Sequence, residues 1–181
     1  DVLKDLSLAE AKITVPTPVA NEGYAFLKWQ DETGAAVSFD ENYKTPAENT
    51  TYTAVFDEDK NDDGKPDSQQ TIITITFNAG TEGNIGGEES VTYYVAAGED
   101  NYPTAPGVTV TAEKRAFDKW NPEYTLSGPV PEDAEAQTLK FEATYGDDLN
   151  GDGVVDTDAD RFDITFEAGA NGKLEGTSTY E

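Results

Sequence analysis

A stretch of nine residues occurs twice in this chain, 89 positions apart. Asp59-Lys60-Asn61-Asp62-Asp63-Gly64-Lys65-Pro66-Asp67 returns as Asp148-Leu149-Asn150-Gly151-Asp152-Gly153-Val154-Val155-Asp156. The residues that follow keep the same offset. Ile75-Thr76-Phe77-Asn78-Ala79-Gly80 reappears as Ile164-Thr165-Phe166-Glu167-Ala168-Gly169, and Gly83 as Gly172. Self-similarity at a fixed period restricts the chain to small units that recur along it.

Within each stretch, oxygen-bearing side chains stand at positions 1, 3, 5 and 9 and a glycine at position 6. That is the D-x-[DN]-x-[DN]-G pattern of a calcium-binding loop. Calcium is a hard cation that takes six to eight oxygens, so alternate carboxylates and amides on a curling backbone can wrap it. The candidate ligands of the first loop are Asp59, Asn61, Asp63, the carbonyl of Lys65 at position 7, and Asp67. Those of the second are Asp148, Asn150, Asp152, the carbonyl of Val154, and Asp156. Position 12, a bidentate glutamate in a complete loop, is Gln70 in the first copy and Ala159 in the second. Asp158 or Asp160 can substitute in the second loop, or a neighbouring module can donate the oxygen. The bland alternative is a solvated acidic turn, since Asp and Asn favour turns on their own. Two copies at equal phase between strand-like segments favour the metal.

Twelve basic against 37 acidic residues give a net charge of −25. This excludes nucleic acid and anionic membrane as natural partners. It also makes the compact chain self-repelling, which divalent cations at the acidic clusters would relieve. The chain has no cysteine, histidine or methionine. Zinc sites, thiol chemistry and Ser-His-Asp or Cys-His catalysis are ruled out by inventory. No stretch approaches the ~18 apolar residues of a membrane span. The expected setting is extracellular, where millimolar calcium is available, and the sequence reads as a mature piece of something larger.

Along the chain, residues 1–5 read as the tail of a strand, and Ser7 with Glu10 predicts a capping box on a short helical turn over Leu8–Lys12. Strands are expected at Gly23–Trp29, Ala36–Phe39, Thr51–Phe56, Thr71–Ala79, Val91–Ala96, Arg115–Trp120 and Thr138–Tyr145. The alternation of Ile73, Ile75 and Phe77 against Thr74 and Thr76 is the clearest case. Gly80–Gly87 turns the chain back, Tyr102–Gly107 is a proline-punctuated crossing, and Phe162–Ala168 begins another copy of the Thr71–Ala79 strand. The predicted organisation is the C-terminal part of a module at 1–57 and an acidic linker at 58–70. A complete module follows at 71–146, a second linker at 147–160, and the opening hairpin of a further module at 161–181. Set end to head, Gly176–Glu181 followed by Asp1–Lys4 lines up with Gly87–Ala97 within about one residue.

Three segments resemble the internalin-type B repeat (the Listeria–Bacteroides repeat) of bacterial surface proteins: Ile13–Pro18, Gly23-Tyr24-Ala25-Phe26-Leu27-Lys28-Trp29 and Thr51–Phe56. Ile164–Gly169 looks like the opening strand of the same family. The second copy departs from the G-Y-x-F-x-x-W signature, with Lys114-Arg115 in place of Gly-Tyr. The acidic linkers look like the calcium loops of dockerins and thrombospondin type 3 repeats without the position-12 ligand. The resemblance implies a β-grasp-like module with a spacer, stalk or adhesive role and no catalytic residues.

Trp29 and Trp120 recur at one place in each unit beside Phe26 and Phe117, which favours core packing over sugar stacking. Tyr93, Tyr94 and Tyr102 are weaker candidates for surface contacts. The acidic pairs Glu88–Glu89 and Glu132–Asp133 do not recur between units, so glycosidase chemistry is disfavoured. The expectation is a mainly β protein of tandem small β-grasp-like modules arranged as an extended rod. It would be a secreted or cell-surface, non-enzymatic element rigidified by Ca2+. Its expected partner is a second copy joined head to tail, with hairpin 161–181 completing 1–57, or simply the continuation of a longer tandem chain. Cell-wall or matrix components are further possible partners, and a glycan- or host-protein-binding module is the alternative reading.

Overall fold

The computed structural model describes residues 4–99, 101–157, 164–176 and the backbone of 179–180. The chain is mainly β. It divides into two compact units, one of Asp1–Thr74, Tyr93–Tyr102 and Gly128–Thr138, the other of Ile75–Thr92, Pro103–Ser127 and Leu139–Glu181.

The expected capping box starts the short helix α1, Leu8–Ala11. The Ser7 amide donates to Glu10 Oε2 at 2.9 Å, and the Glu10 amide to Ser7 Oγ at 3.4 Å. Three antiparallel strands follow: β1 (Tyr24–Gln30), β2 (Ala36–Val37) and β3 (Thr53–Glu58), in the order β2-β1-β3. A bulge falls between Phe26 and Lys28 of β1. Residues three apart on a regular strand face opposite sides, and the bulge brings both rings to one side. Phe26 and Trp29 then meet edge to face, with centroids 5.9 Å apart.

The next strands are β4 (Ile72–Asn78), β5 (Gly83–Asn84), β6 (Ser90–Ala96), β7 (Thr109–Val110), β8 (Arg115–Asn121) and β9 (Gln137–Asp147). Four of them form a sheet in the order β6-β4-β9-β8. β8 and β9 repeat β1 and β3 in detail, since Phe117 faces Tyr145 as Phe26 faces Phe56, and Trp120 faces Ala143 as Trp29 faces Ala54. The bulge returns between Phe117 and Lys119. The alternation along β4 buries Ile73, Ile75 and Phe77 completely, at 0% exposure. The Phe77 ring lies 4.9 Å from Trp120, 5.0 Å from Tyr124 and 5.2 Å from Phe141, on which it stacks.

After β4 a 3-10 turn, Gly80–Glu82, leads into β5, which pairs with β7. A Cβ on Gly83 would lie 2.5 Å from Tyr145 Oη and 2.9 Å from the Thr109 carbonyl, so only glycine allows this approach. Tyr145 Oη donates to the Ala79 carbonyl at 2.6 Å. Arg115 ties the turn to the sheet: Nε donates to Glu82 Oε2 at 2.6 Å and Nη1 to Asp147 Oδ1 at 2.7 Å. The Lys114-Arg115 departure from Gly-Tyr thus installs a clamp, and its Glu82 partner first and burial second, in opposite senses, leave the guanidinium pKa raised.

Several expectations change. Lys4 and Asp5 are not strand, and Asp1–Leu3 lie outside the described residues. The late strand is shorter than expected: β10 is only Ile164–Thr165, paired with β11 (Thr179–Tyr180), while Phe162 and Asp163 lie outside the described residues. Core packing holds fully for Trp120, at 7% exposure, whereas Trp29 is half-buried. The physical reason is that Phe77 covers Trp120, and residues 4–58 have no counterpart of β4.

Candidate functional site: two acidic loops

Each acidic loop leaves the end of a sheet strand, β3 for the first and β9 for the second. The first aspartate of each is pinned in the same way. The Asp59 amide donates to the Gly23 carbonyl and the Asp148 amide to the Lys114 carbonyl, both at 2.9 Å. Both carboxylates are buried, Asp59 at 4% exposure and Asp148 at 6%. A buried carboxylate needs donors, and the loop supplies its own. Asp59 accepts from the amides of Asp63 and Gly64 at 3.1 and 2.9 Å. Asp148 accepts from those of Asp152 and Gly153 at 3.1 and 3.0 Å.

Two further bonds recur. The carboxylate at position 9 accepts from the amide at position 2, as Asp67 from Lys60 at 3.2 Å and Asp156 from Leu149 at 2.7 Å. The carboxylate at position 5 accepts from the amide at position 7, as Asp63 from Lys65 and Asp152 from Val154, both at 2.9 Å. Position 8 turns inward: Pro66 is buried, and Val155 packs where a side chain on Gly146 would stand. Positions 4 and 6 are left-handed in both loops, Asp62 and Gly64 at φ 57° and 81°, Gly151 and Gly153 at 77° and 83°. Asp tolerates that region better than most residues. One backbone curl is therefore written twice with different residues.

The loops differ in what reaches them from outside. Asn61 Nδ2 donates to Glu99 Oε1 at 2.6 Å, and the same oxygen takes the Ala96 amide at 2.9 Å. This orientation leaves Asn61 Oδ1 buried without a hydrogen-bond partner among the described residues. Asn150, its counterpart, turns inward instead, accepting from the Asp152 amide at 2.9 Å and donating to the Asp152 carboxylate at 3.2 Å. Gln70, at position 12, reaches back over the first loop, with Nε2 donating to Asp63 Oδ1 at 3.1 Å and to the Lys65 carbonyl at 3.3 Å. Burial opposes ionisation of Asp63. The Lys65 amide, Gln70 and the Lys65 ammonium outweigh it and hold the carboxyl below its ordinary range. Lys60 adds a cation of its own, paired with Glu58, 3.7 Å from Asp67 and 5.9 Å from the centre of the Tyr94 ring. The first loop sets four carboxylates against two lysines, the second three carboxylates against none.

Every donor atom in this set is a hard oxygen, the chemistry that calcium takes. Asn61 Oδ1 is the orphaned acceptor that a cation would satisfy. Among the described residues, no group of three or more Asp, Glu, His or Cys side chains is gathered closely enough to hold a metal ion. The loop carboxylates are instead held by backbone amides. Asp158 and Asp160 lie outside the described residues. Sequence reasoning missed Glu99, which is 38 residues from Asn61 and meets it only through the fold. Gln70 reads in the sequence only as the absence of a glutamate at position 12.

Residues 5–60 match the family model of the divergent InlB B-repeat domain. No curated protein and no solved structure matches the chain. Among the described residues, no helix is long and apolar enough to cross a membrane.

Proposed function

From the B-repeat match over residues 5–60, we propose that the chain is a non-enzymatic structural element of a bacterial cell surface. In this reading it is a stalk or fibre of tandem β modules whose acidic joints are stiffened by calcium. The family match supports the repeat module and its surface setting. The observation that carries the joint is Asn61 Oδ1, a buried acceptor without a donor at the third position of a loop curled by the same bonds as its copy.

Asp59, Asn61, Asp63, the Lys65 carbonyl and Asp67 would hold the ion in the first loop. In the second it would be Asp148, Asn150, Asp152, the Val154 carbonyl and Asp156, with Asp158 or Asp160 in support. A bound calcium ion supplies a positive centre that offsets the repulsion among these oxygens. The residues themselves do the mechanical work: Asp59 and Asp148 anchor each loop to a strand end, and the amide-bonded curl fixes the path of the chain. An acidic linker without such closure would be extended and floppy. Extracellular sites of this kind bind at roughly 10⁻⁴–10⁻³ M, and a ligand at a hundred times its Kd adds about 2.7 kcal/mol of stability.

Thermal unfolding in millimolar calcium and in chelator tests the proposal. The midpoint is expected to rise with calcium. Gln70→Glu places a carboxylate at position 12, so it should enlarge the calcium increment while lowering the midpoint in chelator through repulsion with Asp63. A midpoint indifferent to calcium in both proteins removes the metal from the account. A second reading, a glycan-binding module, takes support from the open cavity of about 530 Å³ that Trp29, Phe39, Tyr43 and Tyr52 line. Specific retention on a glycan array, lost in Trp29→Ala, would favour it.

A further inference from the structure

We infer that Glu99 is the positioning residue of the first acidic loop: it holds the Asn61 amide so that the oxygen, and not the nitrogen, is presented at the third ligand position. The inference rests on the calcium reading above and deepens it, because it names a side chain outside the loop on which that site depends.

Asparagine at position 3 carries an ambiguity that aspartate does not. One end of its amide is an acceptor fit for a hard cation, and the other is a donor that repels one. The curl admits both orientations. At Asn150 the nitrogen donates to the Asp152 carboxylate at 3.2 Å and the oxygen takes the Asp152 amide at 2.9 Å. At Asn61 the nitrogen is drawn away from the ligand carboxylates, to Glu99 Oε1 at 2.6 Å. A carboxylate accepts and does not donate, so only the nitrogen can face it. Hydrogen bonds to a charged acceptor are roughly twice as strong as neutral ones, which fixes the choice. Oδ1 is thereby left buried, without a hydrogen-bond partner among the described residues. A buried acceptor in that condition is costly, and a cation at the third position would satisfy it.

Glu99 is itself firmly mounted. Its Oε1 also accepts from the Ala96 amide at 2.9 Å. Its backbone amide donates to the Ala96 carbonyl at 3.2 Å, and its carbonyl accepts from the Val130 amide at 2.9 Å. The neighbouring Gly98 amide donates to the Val130 carbonyl at 3.2 Å and the Ala97 amide to the Thr71 carbonyl at 2.9 Å. Val95, Ala96 and Val130 are buried. The turn after β6, residues 128–138 and the first acidic loop all belong to one compact unit. A hydrogen-bond partner one step removed from a metal orients the ligand it touches, and its loss typically costs about 10–100-fold in affinity.

Calorimetric titration of the full chain with calcium tests this. It is done in a background carrying Asp152→Ala and Asp156→Ala, which strips ligands from the second loop and leaves the first to be read. Glu99→Ala should weaken binding by about 10-fold or more. Glu99→Gln keeps an acceptor for the Asn61 nitrogen and should retain most of the affinity. Asn61→Ala removes the ligand itself and should cost at least as much as Glu99→Ala. Adding Glu99→Ala to Asn61→Ala should then change nothing further, because the one acts through the other. The thermal midpoint in chelator is recorded alongside. A Glu99→Ala chain with a lowered midpoint but unchanged calcium affinity overturns the proposal, since Glu99 would then be structural only. Equal losses in Glu99→Gln and Glu99→Ala overturn it as well, because they assign the effect to charge. A background chain that takes up no calcium removes the calcium reading and this inference with it. One that binds equally well with and without Glu99→Ala removes this inference alone.

Discussion

Residues 24–58 and 115–147 are two versions of one design. They share a strand register, a bulge between the aromatic pair, and a strand end that delivers an aspartate into an acidic curl. They differ in what lies over them. Trp120 is buried beneath Phe77 at 7% exposure, while Trp29 is half-buried beside an open cavity. The same side chain at the same place in the same strand pair thus has two environments. The comparison teaches that the strand pair supplies only one wall of a core, and that over β8 and β9 the facing wall includes Phe77 of the fully buried β4 face.

The largest expected effect contrasts the two copies of that phenylalanine. Phe77→Ala should destabilise the chain by about 3–5 kcal/mol, as removal of a fully buried ring does. Phe166→Ala in dilute solution should stay within about 0.5 kcal/mol of wild type, as exposed substitutions do. Urea denaturation reads both, and equal losses would erase the contrast. Next come the paired glycines. Gly83→Ala drives a methyl into Tyr145 Oη and the Thr109 carbonyl and should cost about 1–3 kcal/mol. Gly172→Ala, where a side chain meets nothing within 4 Å, should stay within about 0.5 kcal/mol of wild type.

The loops sharpen the comparison at their shared left-handed positions. Gly64→Ala and Gly153→Ala meet no steric obstacle, so each should cost only the backbone term of about 1–2 kcal/mol. Asp62→Gly should stabilise by less than that, because the second loop already carries Gly151 there. Similar losses in both loops, read by thermal unfolding, are the expected mark of a common curl.

The smallest effect is a proton. Burial first, and then its hydrogen bond with Tyr52, push the Tyr43 phenol up to about 12 from 10.0. The folded state holds that proton more tightly than the unfolded one. The associated stability is therefore present below pH 10 and is lost as pH rises toward 12. Tyrosinate absorbance during alkaline titration should show one phenol ionising late, and Tyr52→Phe should bring it earlier.

Much of this was legible in the sequence. The alternation through Ile73, Ile75 and Phe77 foretold a strand with one buried face, and Ser7 with Glu10 foretold the short helix. The recurring Ala-Phe-x-Lys-Trp skeleton located β1 and β8. The curl of the acidic loops followed from the glycine at position 6 and the alternate oxygens. What was not legible depends on distant neighbours. Glu99 reaches Asn61 only because the chain returns after β6, and Arg115 reads as a lost Gly-Tyr until Glu82 is seen beside it. Periodicity assigned both tryptophans to a core, but it carries no information on whether a covering strand is present. The left-handed turn at Asp62 was hidden because a non-glycine residue occupies it.

The most direct test of the two-copy account follows the two indoles separately. Trp120→Phe leaves Trp29 as the only tryptophan, and Trp29→Phe leaves Trp120. Acrylamide quenching of each single-tryptophan chain is then measured. Trp120 should be shielded, and Trp29 should be markedly more accessible. A Trp29 no more accessible than Trp120 would contradict the account.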